Sequence, residues 1–591
     1  MPIDTVTGAP VGVCALPPPP RNGARTVAYP EYVHEILGHA GLCYSALGCE
    51  DIADALPRLR VLVTVGEAAF DEDLKQRLRN WVANGGAWLS VGGTCGVPEL
   101  FGVQMEPPAY WSWGGGLGTL GEGYMSANDV RHPITSHVRI PLHYFNGAAV
   151  IPDGAAVLAD VLDAHQRPTR RAAVTSMTHG LGLCTLIAPD ATGTVVRIRQ
   201  GVGVTRDGVS APDGTAPIGD DVLKSGDGGV LDWLFDREPV EGALGLSAFL
   251  EPVADVWAEM LVRAILYLAR ERGVTLPVLW LYPRNLPALA HMSHDSDGND
   301  GSLAMRMLQV LGEAGINSTW CVMPPGYPAE VIEAIRAEGH ELAMHYDAVA
   351  GDFAWDEREF DRQWDEISEL FGERPATNKN HFLRWEGDTD FFDWLVRRGI
   401  RLDQSKGASK SGEAGFNFGT CHVYRPVAPD GRIIDVLELP TLTQDLEVFA
   451  PTALLDPILQ AVRARHGILH LLFHPAHIQT GNVADTLRSA IDRAGELGIE
   501  WWTAARIADW ERARRRAEWS QSEPGRAVLR VADPLPDACV MWLTDRGAAV
   551  TVNGAAAQCE SVERWGFRFL SARIDGAPGE YETELGGAQR A

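Results

Sequence analysis

The stretch "LAHMSHDSDGND" at 289–300 gathers two histidines and three aspartates behind an apolar start. Asp295 and Asp297 are two residues apart, so in an extended chain both side chains leave the same face. One carboxylate of such a pair can bind a cation while its neighbour stays free as a base. Without a cation the two repel, and one tends to keep a proton. Further on, His345 ends "HELAMHYD" and shares its face with Glu341 and Asp347. His381 ends "PATNKNHF", and His470 and His474 share a face of "GILHLLFHP", with His477 just beyond. An aspartate with two neutral imidazoles is a three-ligand set that leaves zinc, or a similar divalent ion, one open position for water. The ion lowers the pKa of that water and polarises a carbonyl. A free carboxylate can take the water's proton, and an imidazole across the site can protonate a leaving amine. These residue types point to amide hydrolysis.

Such groups act together only if an element order brings them to one place. From 287 to 515 apolar strands alternate with amphipathic helices such as "SLAMRMLQVLGEAG" and "PAEVIEAIRAEG", several of which stop at glycine. Seven or eight strand–helix units close most simply into a parallel β/α barrel, whose strand C-terminal ends face substrate. Every histidine singled out above, and the Asp-x-Asp pair, falls at or near such an end.

The rest of the chain reads differently. "RVLVTVG", "DEDLKQRLRNWVANGG" and "AWLSVGG" give strand, helix and strand, and hence a parallel sheet. From 108 to 245, short runs such as "RRAAVTSM", "LGLCTLIAP" and "GTVVRIRQG" read as antiparallel strands. A long helix then leads through "TLPVLWLYP" as a linker, and the last 70 or so residues return to short strands. The expected fold class is α/β: a deformed (β/α)7-type barrel, preceded by a flavodoxin-like α/β domain and a β-rich region, and followed by a small β-sandwich. The expected divisions are 22–107, 108–274 (which would complete the N-terminal domain), 275–517 for the catalytic barrel, and 522–591.

Composition narrows the partners. The 591 residues carry a formal charge of −27, with 46% apolar and 22% charged residues. That is a globular protein lacking the basic face that nucleic acid or an anionic membrane requires. Nine cysteines without a C-x-x-C pair fit reduced thiols. The start "MPIDTVTGAPVGVCALPPPPR" has no basic segment followed by an apolar core, and no apolar run reaches the roughly eighteen residues of a membrane span. The expectation is a cytoplasmic protein acting on a small-molecule or oligosaccharide substrate; a homo-oligomer is compatible with the sequence.

The barrel segment resembles the polysaccharide deacetylase (NodB-homology, carbohydrate esterase 4-like) superfamily over roughly 287–515, in a D-x-D variant. "SHDSDG" resembles the first motif, which implies Asp295 as base and Asp297 as metal ligand. "EAIRAEGHELAMHYD" resembles the approach to the second motif, making His345 a ligand. "NKNHFLRW" and "IRLDQS" occupy the third and fourth places, and "LLFHPAH" resembles the fifth, implying His474 as general acid. The family's second-motif histidine falls here on Val349, so His381 or Asp347 completes the ligand set, with His381 preferred because a neighbouring strand end can reach the same point. The usual Arg-x-Pro is absent, and Lys379 or Arg384 takes over holding Asp295. Asp403, Ser405, His422 and Arg425 lie in later loops, where substrate contacts are expected, and His470 is a further candidate. The implied cofactor is a divalent ion, Zn2+ first, with Co2+, Ni2+ or Mn2+ as alternatives. The implied reaction is removal of an N-acyl group, N-acetyl first, from an amino sugar or sugar-containing metabolite.

The N-terminal region resembles glutamine-amidotransferase-like domains, with Cys95 in "GGTCG" near the place of their nucleophile. No downstream His-x-Glu supplies a base, so the domain reads as degenerate. Two other readings of the chain stand beside the hydrolase. A metal-free glycosidase would pair Asp295 with Glu438, and a carbohydrate-binding scaffold would need no ion at all.

Overall fold

The computed structural model describes residues 8–17, 26–107, 118–216, 219, 221–349, 354–545 and 549–586. Residues 1–7 and 18–25, with most of the proline run at 17–20, lie outside the described residues, as does the start of the segment from 108. The chain forms two compact units: one of residues 196–255 and 286–511, the other of 1–195, 256–285 and 512–591.

The first unit is built on nine parallel strands: β1 (Leu289–Asp295), β2 (Thr319–Val322), β3 (Glu341–Tyr346), β4 (Thr377–Asn380), β5 (Leu402–Asp403), β6 (Leu437–Glu438), β7 (Thr443–Gln444), β8 (Ile468–Leu472) and β9 (Glu500–Trp501). Their order is β6-β5-β4-β3-β2-β1-β8-β7, with β9 added to β1. This curled sheet fits a deformed barrel, open where β6 and β7 do not pair among the described residues. α-Helices return the chain between most of these strands, though not from β5 to β6 or from β6 to β7, and their ends follow local chemistry. Asp300 caps helix Gly301–Ala314 through Ser302 N and Leu303 N, and Gly315 ends it at φ 70. Asp356 caps Glu357–Phe371 in the same way. Met292, Trp320, Val322, Leu469 and Leu471 pack with Leu308, Leu311 and Ile335 into one core.

The second unit has a nine-stranded sheet. Its parallel half (Ser45–Ala46, Val11–Ala15, Val61–Val65, Ala87–Val91 and Gly182–Ile187) continues into antiparallel strands Pro168–His179, Ala156–Leu162, Glu122–Ala127 and Leu142–Phe145. A four-stranded and a five-stranded antiparallel sheet are built mainly from residues 518–585. Two local expectations are corrected. The linker "TLPVLWLYP" contains strand Pro277–Leu279, paired with Cys539–Leu543. "GTVVRIRQG" forms helix Ala191–Gln200, not a strand. Asp190 Oδ1 accepts from Gly193 N at 2.7 Å at the helix start, and burial of nearly every residue gives its β-branched run the look of a buried strand. No helix among the described residues is long and apolar enough to cross a membrane.

Candidate metal and acid–base site

β1 ends at Asp295, and Asp297 opens the tight turn Asp297–Asn299, in which Gly298 and Asn299 have φ of 63 and 52. The two aspartates are therefore not on one face by strand alternation. The turn brings Asp297 back over the strand end. His345 Nε2 lies 3.4 Å from Asp297 Oδ1 and 3.9 Å from Asp295 Oδ2. His381 Nε2 lies 3.7 Å from Asp297 Oδ1. Asp297, His345 and His381 offer three ligand atoms within 4.8 Å of one another.

Both imidazoles are oriented from behind. His345 Nδ1 donates to the Lys379 carbonyl at 2.9 Å, a partner supplied by the β3–β4 register, which sets His345 beside Lys379. His381 Nδ1 donates to Asp347 Oδ1 at 2.9 Å. Each ring thus turns Nε2 towards Asp297, the arrangement that backbone and carboxylate partners give to metal-binding histidines. His345 Nε2 and Asp297 Oδ1 are buried without a hydrogen-bond partner. A carboxylate with two oriented imidazoles and orphaned polar atoms fits a divalent cation. Burial works against ionised Asp297, but His345, His474 and His381 together hold it well below the usual carboxylate range.

Two further groups border this point. Lys379 Nζ lies 3.5 Å from Asp295 Oδ1 and donates to Ser293 Oγ at 3.1 Å. Ser293 in turn donates to His470 Nε2 at 3.0 Å, because His470 Nδ1 donates to the Pro440 carbonyl. His474 Nε2 is 3.5 Å from Asp297 Oδ2 and 4.0 Å from Asp295 Oδ2. Its Nδ1 is tied to Asp445, whose other oxygen accepts from His474 N at 2.8 Å. Burial would lower the His474 pKa, but Asp445, with Asp295 and Asp297, pushes it up to about 9. At the rim, the exposed rings of Phe382 and Phe449 stand 4.7 Å from His381 and 5.4 Å from His477. Phe382 and Leu383 both adopt left-handed backbone, φ 58 and 52, which bulky residues rarely occupy.

The structure brings Asp295, Asp297, His345, His381, His474 and Lys379 to one place, with Asp347 behind His381 and His470 beneath Lys379. Other candidates lie elsewhere. Arg384 binds Glu386 and the Leu223 carbonyl, not Asp295. His422 donates to the Arg465 carbonyl at 2.9 Å and clusters with Asp255 and Cys421, where Asp255 already accepts from Arg199. Arg425 pairs with Asp435 at 3.6 Å. Asp403 accepts from Asn378 and Ser405 and packs beside Glu438; both carboxyls are fully buried, and burial raises both pKa values. Glu438 is thereby committed to Asp403 and Lys406 N. Cys95 is fully buried, its thiol pushed far up by burial, with Glu67 accepting from its backbone N–H. Sequence reasoning missed Asp445, which follows the two-residue β7. Its only signal was an acid placed just after a short polar strand.

No protein-family model and no curated protein matches the sequence. Among solved structures, the chain is similar to a protein described as a polysaccharide deacetylase from Mycobacterium smegmatis, at 18% identity and TM-score 0.32, over 42% of this chain and 97% of that one. It is also similar to Puue allantoinase, at 15% and 0.30, over 39% and 91%. A further similar structure is described as a polysaccharide deacetylase from Pseudomonas aeruginosa PAO1, at 17% and 0.28, over 36% and 74%.

Proposed function

We propose that this chain is a metal-dependent hydrolase that removes an N-acyl group, N-acetyl first, from an amino sugar or sugar-containing metabolite. The observation that carries the reading is the convergence of Asp297 Oδ1, His345 Nε2 and His381 Nε2, two of these atoms buried and orphaned. These three atoms would hold the cation. When bound, the cation supplies a Lewis acid for an acyl carbonyl and lowers the pKa of water. Asp295 is the base: Lys379, itself anchored on Ser293, places its charge beside Oδ1, and Oδ2 faces His345 and His474, where it receives the proton of the attacking water. His474 is the acid. Asp445 holds its ring at Nδ1, so that Nε2 delivers a proton to the departing nitrogen. Amide and water become carboxylic acid and amine; Asp295 ends protonated and His474 ends one proton short, and the two return to their starting states when a proton passes from the first to the second through solvent. Phe382 and Phe449 offer apolar surfaces for the faces of a ring-shaped substrate.

Elemental analysis of the purified chain, beside Asp297→Ala, tests the reading. About one zinc or similar ion per chain, lost in the variant, supports it and directs a screen of N-acetylated amino sugars for acetate release. No ion, even after zinc or cobalt is added, refutes it.

A further inference from the structure

Residues from 202–209 and 226–233, with Phe249, Glu413 and Asn417, line a cavity of about 460 Å³, none of whose lining residues belongs to the Asp297 cluster. That volume is typical of small-molecule sites. One wall is aromatic. Trp233 and Phe249 have ring centroids 5.5 Å apart, and the Arg237 guanidinium lies 5.0 Å from the Trp233 ring.

The polar lining consists largely of acceptors. Glu413 is only 2% exposed; its Oε2 accepts from Ser409 N, Ser409 Oγ and Lys410 N at 2.7, 2.8 and 3.0 Å. Its Oε1 takes no hydrogen bond from any described residue. Asn417 is 7% exposed, and its Oδ1 has no hydrogen-bond partner; neither has Asp207 Oδ1. Asp227 differs, since its oxygens accept from Gly208 N and Lys224 N and so brace the wall. Positive charge comes from Arg206 in the lining and from buried Lys224, which acts on Glu413, against the carboxylates of Asp207, Asp227 and Glu413. Buried acceptors left unpaired are costly, and a ligand that donates to them removes the cost. A bare ion would leave most of the space and the aromatic wall unused.

We propose that this cavity binds a protonated primary amine of amino-sugar size, its ammonium group donating to Glu413 Oε1 and Asn417 Oδ1 while its apolar face lies on Trp233 and Phe249. A carboxylate acceptor strengthens such bonds, and aromatic rings offer large apolar contact area to the rest of the ligand. The assignment is independent of the hydrolase reading.

The test uses the full chain carrying Asp297→Ala, which disables the barrel site, and calorimetric titration near neutral pH, because burial raises the Glu413 pKa and acid would neutralise the acceptor. The probe is D-glucosamine, with glucose and N-acetylglucosamine as uncharged controls. The expected result is saturable one-to-one binding of glucosamine, weakened at least about tenfold both for the uncharged sugars and by Glu413→Gln. If Glu413→Gln does not fold, Gly226→Ala decides: a Cβ there sits 2.9 Å from Glu413 Oε1 and obstructs the same contact without removing a charge. No saturable binding of glucosamine overturns the proposal. So does equal binding of glucose, or affinity unchanged in the folded variants.

Discussion

At the scale of single residues, the site separates groups that would hold an ion from groups that would move protons, and substitution should separate them too. Asp295→Asn should keep the ion and lose about 10²- to 10⁴-fold in turnover, the usual worth of a positioned base; metal analysis and acetate release on the same sample check both halves. Asp347→Ala should act the other way, weakening metal affinity about 10- to 100-fold because His381 loses the partner that orients it, as measured by competition with a chelator. The histidines beneath the site carry a pH signature for stability. His291 is fully buried, donating from Nδ1 to the Trp502 carbonyl, with Nε2 2.7 Å from the Gln404 side-chain amide. Burial lowers its pKa to about 4. The unfolded chain, with histidine near 6.5, then binds more protons than the folded one, so stability is full above about pH 6.5 and falls as pH drops towards 4. The loss is on the order of 3 kcal/mol for this residue. Urea midpoints at about pH 7 and 5 should differ less for His291→Gln than for the unaltered chain.

At the scale of elements, what could be read in the sequence was what periodicity and end signals encode. The strands around Asp295, His345 and His474 were legible because each is a largely apolar run that ends in chemistry, and their helices because they carry Asp and Gly punctuation; Thr377–Asn380 before His381 is polar throughout. Asp300→Ala should cost about 1 kcal/mol through loss of the cap on Gly301–Ala314, read as a lowered urea midpoint with unchanged slope. Illegible were features set by tertiary contact. Helix Ala191–Gln200 has buried residues on almost every side, so no amphipathic period survives. β7 is two residues long, too short to announce that Asp445 follows it. The preference for His381 over Asp347 rested on strand adjacency; the structure adds that the two are hydrogen-bonded, one behind the other. His422 and Arg425 followed from loop position alone, and loop position says nothing about direction.

At the scale of the whole molecule, charge and ligand linkage govern behaviour. With a net charge of −27, the chain should not be retained by duplex DNA even at low salt, since counterion release needs basic contacts; filter binding checks this. Saturating cation should raise the unfolding free energy by about 2.7 kcal/mol at a hundredfold excess over Kd, and a chelator should reverse the shift in Tm. The three proposed ligands come from the ends of β1, β3 and β4, with no two adjacent in the sequence. Nothing resembling the site exists in a local fragment of the nascent chain, so high-affinity capture of an ion must wait until those strands have found their register. Metal uptake followed during refolding would therefore mark the completion of this side of the barrel, rising with the formation of those strands and never ahead of it.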